Sequence, residues 1–150
     1  MDDLSFQPLG PGDEALLSPL MQELYIHEAI AWHPESAAQS LRELLGSPVK
    51  GRAWLVFADR QAAGYFVLTL AFSLEFGGTF ALLDELYIRE EWRGRGVGTR
   101  TMDFATDESK KLGAHALRLE VGHANEGALK FYRRHGFSAE QRHLLTLRLG

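Results

Sequence analysis

Cysteine is missing altogether from this 150-residue chain. That excludes disulfides, thiolate metal sites and a cysteine nucleophile, and it fits a reducing compartment. Long apolar runs are missing too, so no segment has the length of a membrane span. The N-terminus, Met1-Asp2-Asp3-Leu4, is acidic and lacks the positive n-region and apolar core of a signal peptide. A basic excess is also absent. Sixteen Lys and Arg stand against 20 Asp and Glu, for a formal charge of -4, the opposite of the balance in a general nucleic-acid binder. The six histidines, at 27, 33, 115, 123, 135 and 143, are scattered. None forms the His-x-x-x-His pair of a helical metal site, and no metal is expected. There is no internal repeat and no Pro/Ser-rich linker. What remains is the expectation of one compact cytoplasmic domain over residues 1–150, with 45% hydrophobic residues to fill a core.

Leu4 to Leu9 reads as a first strand, closed by Gly10-Pro11-Gly12, with Asp13 placed to cap a helix. Leu16, Leu17, Leu20, Met21 and Leu24 then recur at helical spacing. Pro19 leaves two alternatives: a helix starting at Ser18, or one starting near Asp13 and running through the proline. Pro34 to Leu45 reads as a second helix ending at Gly46. Ala53 to Ala58, Ala62 to Phe76 and Thr79 to Ile88 read as strands. Gly77-Gly78 serves as a two-residue hairpin signal between the last two. That register sets Phe76 opposite Thr79 and Asp84 opposite Ala71, on the same side as Ser73 and Glu75, with Glu85 on the other side. A bulge would change the assignment beyond it. Val97 to Leu112 is helical up to Gly113, Ala114 to Val121 alternates as a strand, Glu126 to Arg134 is helical up to Gly136, and His143 to Leu149 reads as a final strand. The order describes a mixed α/β (α+β) fold with antiparallel strands first and a β-α-β unit later.

The most informative stretch is Arg93-Gly94-Arg95-Gly96-Val97-Gly98, between a strand and a helix. Alternating glycines let the backbone curl around a ligand. Successive N–H groups followed by a helix N-terminus favour an anion, and two arginines add fork-shaped donors. Together they point to a phosphate, and to a diphosphate. A Walker A loop needs Gly-Lys-Ser/Thr, which is absent, and the dinucleotide fingerprint fails in both frames, at Thr99 and at Thr101. The competing reading is a tight surface turn with two solvated arginines.

These residues resemble the GNAT superfamily of N-acetyltransferases. Arg93 to Gly98 fits its Arg/Gln-x-x-Gly-x-Gly/Ala loop, and it follows a strand ending Asp84-Glu85-Leu86-Tyr87-Ile88. Asn125-Glu126-Gly127-Ala128-Leu129-Lys130-Phe131-Tyr132-Arg133-Arg134-His135-Gly136-Phe137 fits its second motif, Asn-x-x-Ala-x-x-Phe/Leu-Tyr-x-x-x-Gly-Phe. The resemblance covers residues 80–137 and implies a GNAT-like domain. In that domain a central mixed, mostly antiparallel sheet is flanked by helices and splays at the cofactor site. It implies acetyl-CoA as co-substrate. Backbone groups of Leu86, Tyr87 and Ile88 would take the pantetheine arm, and the loop Arg93, Gly94, Arg95, Gly96, Val97, Gly98 and Thr99 would take the pyrophosphate. Asn125 and Tyr132 would contact the far end of the arm. Dimers are frequent among relatives, so a homodimer fits the resemblance.

Acetyl transfer to an amine needs a neutral nitrogen, yet a lysine-like ammonium has a pKa of about 10.4. The departing sulfur, as a thiol of pKa about 8.5, needs a proton or must leave as an anion. On the resemblance Tyr132 is the general acid; without it the residue reads as core packing beside Phe131 and Phe137. Asp84 and Glu85 are adjacent acids in an apolar strand, where carboxylates are costly. Asp84 is the first candidate base, directly or through water, and Glu85 the second, while either acid could instead pair with an arginine such as Arg118. Glu75, Tyr25 and Trp32 are candidate acceptor-binding residues, with His27 and His33 beside them, and the acidic face suits a cationic amine of a small molecule or peptide. The alternative is a non-catalytic acyl-CoA-binding or regulatory domain. A nucleic-acid module built on Arg89, Arg93, Arg95 and Arg100 conflicts with the acidic total.

Overall fold

A computed structural model describes residues 3–150; Met1 and Asp2, part of the acidic start, lie outside the described residues. The chain divides into two compact units, one extending through Glu120 and one from Val121 to Gly150.

The first unit runs β1 (Leu4–Pro8), α1 (Glu14–His27), α2 (Pro34–Leu45), β2 (Gly51–Ala58), β3 (Gln61–Ser73), β4 (Gly78–Ile88), a 3-10 turn (Glu90–Trp92), α3 (Val97–Lys111) and β5 (Leu117–Arg118). The sheet order is β1-β2-β3-β4-β5. The first four strands are antiparallel neighbours, and β5 runs parallel to β4. The mixed α+β fold expected from the sequence is therefore the observed one. α1 starts beside Asp13 and runs through Pro19, which settles the two alternatives. The Asp13 carboxylate turns back to accept from Gly10 N at 2.8 Å instead of capping forward.

Cross-strand partners share a face of the sheet, and each face has its own cover. On one side Ala53, Leu55, Tyr65 and Val67 pack with Leu17, Leu20, Met21 and Leu24 of α1 and Leu41 and Leu45 of α2. On the other, Phe104 of α3 stacks on Phe6 at 4.2 Å, and Trp54 stacks on Phe66 at 4.7 Å. Burying one leucine as fully as Leu17, at 0% exposure, contributes about 1.5–3 kcal/mol. The rigid sheet between these layers is what holds β4 in place.

Four expectations are corrected. The β3–β4 connection is the four-residue segment 74–77, closed by Gly77 N donating to Leu74 O at 3.1 Å, and Ser73 pairs with Gly78. Phe76 and Glu75 are therefore turn residues, not strand residues. Asp84 does not face Ala71, which pairs with Phe80. The fifth strand is two residues long, not eight, because its ladder with β4 holds only at Ala81–Leu117 and Leu82–Arg118. The final strand over His143–Leu149 does not form: a strand needs a ladder partner, and the second unit contains only one regular element, α4 (Glu126–Arg134). Its leucines 144, 145, 147 and 149 are exposed.

Candidate active site

The centre of the site is a bulge in β4. Leu68 lies opposite Leu83 and Val67 opposite Glu85, so Asp84 is an extra residue with no partner across the ladder. An extra residue bends its strand and re-aims side chains. Here it falls on an acid and lies two residues past Leu82, the last residue of β4 paired with β5. Among the described residues the pairing of β4 with β5 ends at Leu82. The β4 edge from Leu83 to Ile88 thus has no strand beside it, at the place where the family resemblance implies that the two strands part.

Glu85 is half-buried and shares a face with Tyr65, Val67 and Tyr87. Tyr25 of α1 donates its hydroxyl to Glu85 Oε2 at 2.7 Å, and Tyr65 of β3 donates to Oε1 at 2.8 Å. Burial raises the Glu85 carboxyl above its ordinary range; the two phenolic hydrogen bonds oppose this, and the Asp84 charge adds to it. Asp84, although exposed on its strand, also has its carboxyl raised above the ordinary range, first through desolvation by the surrounding protein and then through the charge of Glu120. Burial and the Glu85 carboxylate push both phenols upward, so they stay protonated donors. Trp32 stands edge-on against the Tyr25 ring, 5.4 Å between centroids. Nearby, Glu23 of α1 receives Arg89 through two nitrogens, at 3.0 and 2.7 Å, and the Tyr87 hydroxyl at 3.1 Å.

Tyr25, Trp32 and Glu85 thus come together, with Asp84 in electrostatic reach. Glu75 does not join them on the expected register; it sits in the exposed turn, its N–H bonded to Ser73 Oγ at 3.2 Å. Tyr65, Glu23 and Glu120 escaped the sequence reading, and Arg89 entered it only as part of a nucleic-acid module, not as the partner of Glu23. For Tyr65 a signal existed: a hydroxyl inside an otherwise apolar strand needs a buried partner.

Beyond Ile88 the chain forms the 3-10 turn, anchored by buried Trp92, and then the glycine segment. Gly94 and Gly96 have φ of 71 and 83 degrees, left-handed values that glycine adopts without steric penalty. A Cβ at either would meet nothing within 4 Å, so the space beside the turn is open. Gly96 caps α3, and the N–H groups of Val97, Gly98 and Thr99 are first-turn donors without carbonyl partners in the helix. The two arginines are held beside this turn. Arg93 Nε donates to Ile88 O at 2.8 Å, and its guanidinium lies 5.8 Å from the Tyr87 ring centre. Arg95 lies 4.6 Å from the Trp92 ring centre and donates to Glu91 O at 3.3 Å. Leu86, Tyr87 and Ile88 form the half-buried end of β4 leading into it.

In the second unit Asn125 Oδ1 accepts from Ala128 N at 3.1 Å and caps α4. The half-buried Tyr132 ring packs edge-on to Phe131 at 5.2 Å and to Phe137 at 5.7 Å. That is the packing role the sequence allowed for it beside a chemical one.

The family model for the acetyltransferase (GNAT) family matches residues 18–137. The chain belongs to that family. Over 61 residues it is 38% identical to an uncharacterized N-acetyltransferase of Methanocaldococcus jannaschii, covering 41% of this chain and 27% of that protein. Over 91 residues it is 28% identical to an uncharacterized N-acetyltransferase encoded in the pepI 3' region of Lactobacillus delbrueckii subsp. lactis, covering 59% and 53%. The chain therefore spans between a quarter and about half the length of these curated relatives. Among solved structures, an integron cassette protein from the mobile metagenome of Cole Harbour Salt Marsh is 32% identical, with a TM-score of 0.85 over 97% of this chain and 90% of that one. In this GNAT member the glycine-rich turn lies at the start of α3, and Asp84 and Glu85 lie at the β4 bulge. Among the described residues no helix is long and apolar enough to cross a membrane.

Proposed function

We propose that this chain is an acetyl-CoA-dependent N-acetyltransferase acting on a primary amine of a small molecule or peptide, by direct attack in a ternary complex. The observation that carries the reading is one continuous backbone surface: the β4 edge left by β5 after Leu82 leads through Leu86, Tyr87 and Ile88 to the left-handed turn at Gly94 and Gly96. An extended arm adds to such an edge as a strand does, and a diphosphate suits the amides that follow.

Acetyl-CoA supplies the thioester carbonyl as the electrophile. Backbone groups of Leu86, Tyr87 and Ile88 hold its arm, and residues Arg93 to Thr99 hold its diphosphate. Asn125 and Tyr132 take the far end of the arm, on the family resemblance. Asp84, whose carboxyl is raised by desolvation and by Glu120, accepts the proton of the incoming ammonium; Glu85 is the second candidate. Tyr132 gives a proton to the departing sulfur. Tyr25 and Trp32 line the acceptor side. Holding both substrates together supplies much of the acceleration.

The test is to incubate the protein with acetyl-CoA and a panel of amines while following free thiol. Acceptor-dependent thiol release supports the proposal. Tight coenzyme A binding with no release by any amine would leave a non-catalytic acyl-CoA-binding domain. Tyr132→Phe is expected to lower turnover roughly a hundredfold with little change in coenzyme A affinity; unaltered turnover removes Tyr132 from the mechanism.

A further inference from the structure

The groups around Glu85 have an unusual donor–acceptor balance. An ionised carboxylate offers about four acceptor positions, and Tyr25 and Tyr65 occupy one on each oxygen. Each phenol has spent its only proton on Glu85, so its oxygen keeps acceptor capacity alone. The assembly is left with acceptors and no donors. None of the ion pairs among the described residues includes Glu85. The nearby cations are committed elsewhere: Arg89 to Glu23, and Arg93 to the Ile88 carbonyl and the Tyr87 ring. The charges left at the bulge are those of Asp84 and Glu85, with Glu120 acting on Asp84.

The complement of such a site carries donors only and a positive charge. A primary ammonium has three donors and no acceptor, and the Tyr25 ring beside it adds a cation–π attraction. Tyr65 is 0% exposed and acts from behind, as a positioning residue, whereas half-buried Tyr25 and Trp32 are reachable. A carboxylate on the ligand near its amine would meet Asp84, Glu85 and Glu120 and be repelled.

We infer that Glu85, fixed by the hydroxyls of Tyr25 and Tyr65, is the ammonium receptor of the acceptor site, and that the acceptor class is a cationic primary amine carrying no carboxylate near its nitrogen. This rests on the acetyltransferase reading and divides the labour between the two acids: Glu85 seats the ammonium, and Asp84 takes its proton.

The test uses the full chain with carbon-13-labelled glutamate, the Glu85 carboxyl resonance being assigned through Glu85→Gln. It is titrated with butylamine and with norvaline, which is the same chain with a carboxylate on the carbon that bears the nitrogen. The expected result is a saturable Glu85 shift with butylamine and binding at least about tenfold weaker for norvaline. Tyr25→Phe should weaken butylamine at least about threefold while coenzyme A affinity by calorimetry stays at the wild-type value. No Glu85 shift, equal affinity for both amines, or an unaffected Tyr25→Phe overturns the inference. Coenzyme A calorimetry on the wild type is read separately: absence of heat sinks the acetyltransferase reading, whatever butylamine does.

Discussion

Arg89 grips Glu23 through two nitrogens, Nε on Oε1 at 3.0 Å and Nη2 on Oε2 at 2.7 Å, and so fastens α1 to the end of β4 across 66 residues of sequence. The same carboxylate accepts the Tyr87 hydroxyl. The pair is about one-third exposed, so water screens part of its attraction. The Arg89 hydrogen bonds lower the Glu23 carboxyl below its ordinary value of 4.5, against a smaller raising effect of burial. A carboxyl lowered in the folded state contributes stability above its unfolded pKa and loses it as pH falls through the folded value. Glu23→Gln is expected to cost about 0.5–1 kcal/mol at neutral pH, with the difference vanishing once both proteins are in strong acid. Urea unfolding at the two pH values measures this. A constant difference would assign the effect to packing.

A glycine in β3 controls the other side of the same corner. Gly64 pairs with Ile88, and a Cβ on it would collide with the Tyr87 carbonyl oxygen. That contact is with backbone, which cannot swing aside as a side chain can. Gly64→Ala is expected to destabilise by about 1–3 kcal/mol and to weaken coenzyme A binding, because the 86–88 edge must shift. Gly122→Ala, where a Cβ meets nothing within 4 Å, should stay within about 0.5 kcal/mol. Equal unfolding midpoints for the two variants would show that the close approach at Gly64 is not a constraint.

The contrast between Gly64 and Gly96 explains what the sequence could and could not reveal. Gly96 lies in a local pattern, strand then turn then helix, so its neighbours in sequence disclose its role; the same holds for Gly113 and Gly136, which follow α3 and α4 with positive φ. The role of Gly64 depends on a carbonyl more than twenty residues away. The hairpin misled for a related reason. Gly77 and Gly78 both have positive φ, as a two-residue loop demands, but the chain spends Gly78 on the first position of β4. That choice moved every pairing and hid the bulge at Asp84. The glycine-rich turn and the acids of β4 were legible as a linear pattern. The Tyr25–Glu85–Tyr65 cluster was not, since its three members come from α1, β3 and β4 and meet only when the sheet is assembled.

The glycine turn gives a direct test of cofactor recognition. Gly96 holds φ at 83 degrees with ψ near 0, a left-handed conformation that costs an L-residue about 1–2 kcal/mol. Gly96→Glu adds to that strain a negative charge beside the proposed diphosphate. Coenzyme A affinity by calorimetry is expected to fall at least tenfold, about 1.4 kcal/mol. Unchanged affinity would contradict the assignment of the turn.

In the proposed reaction, Asp84 and Glu120 link pH dependence to turnover. Desolvation first, and then the Glu120 charge, raise the Asp84 carboxyl above its ordinary value of 3.8. A base must be ionised, so kcat/KM is expected to rise with pH through that elevated value. Glu120→Gln removes a negative neighbour, eases ionisation of Asp84, and should move the acid limb of the profile to lower pH. Asp84→Asn should lower kcat about a hundredfold or more. The stability sign is the reverse of that for Glu23. Between the ordinary and the raised pKa the folded state binds more protons than the unfolded chain, so stability falls as pH rises across that window. Asp84→Asn is therefore expected to be the more stable protein at neutral pH while being the less active one. Thermal unfolding and steady-state rates on the same preparation decide it: loss of stability together with loss of activity would mean that Asp84 holds the bulge in shape and takes no proton.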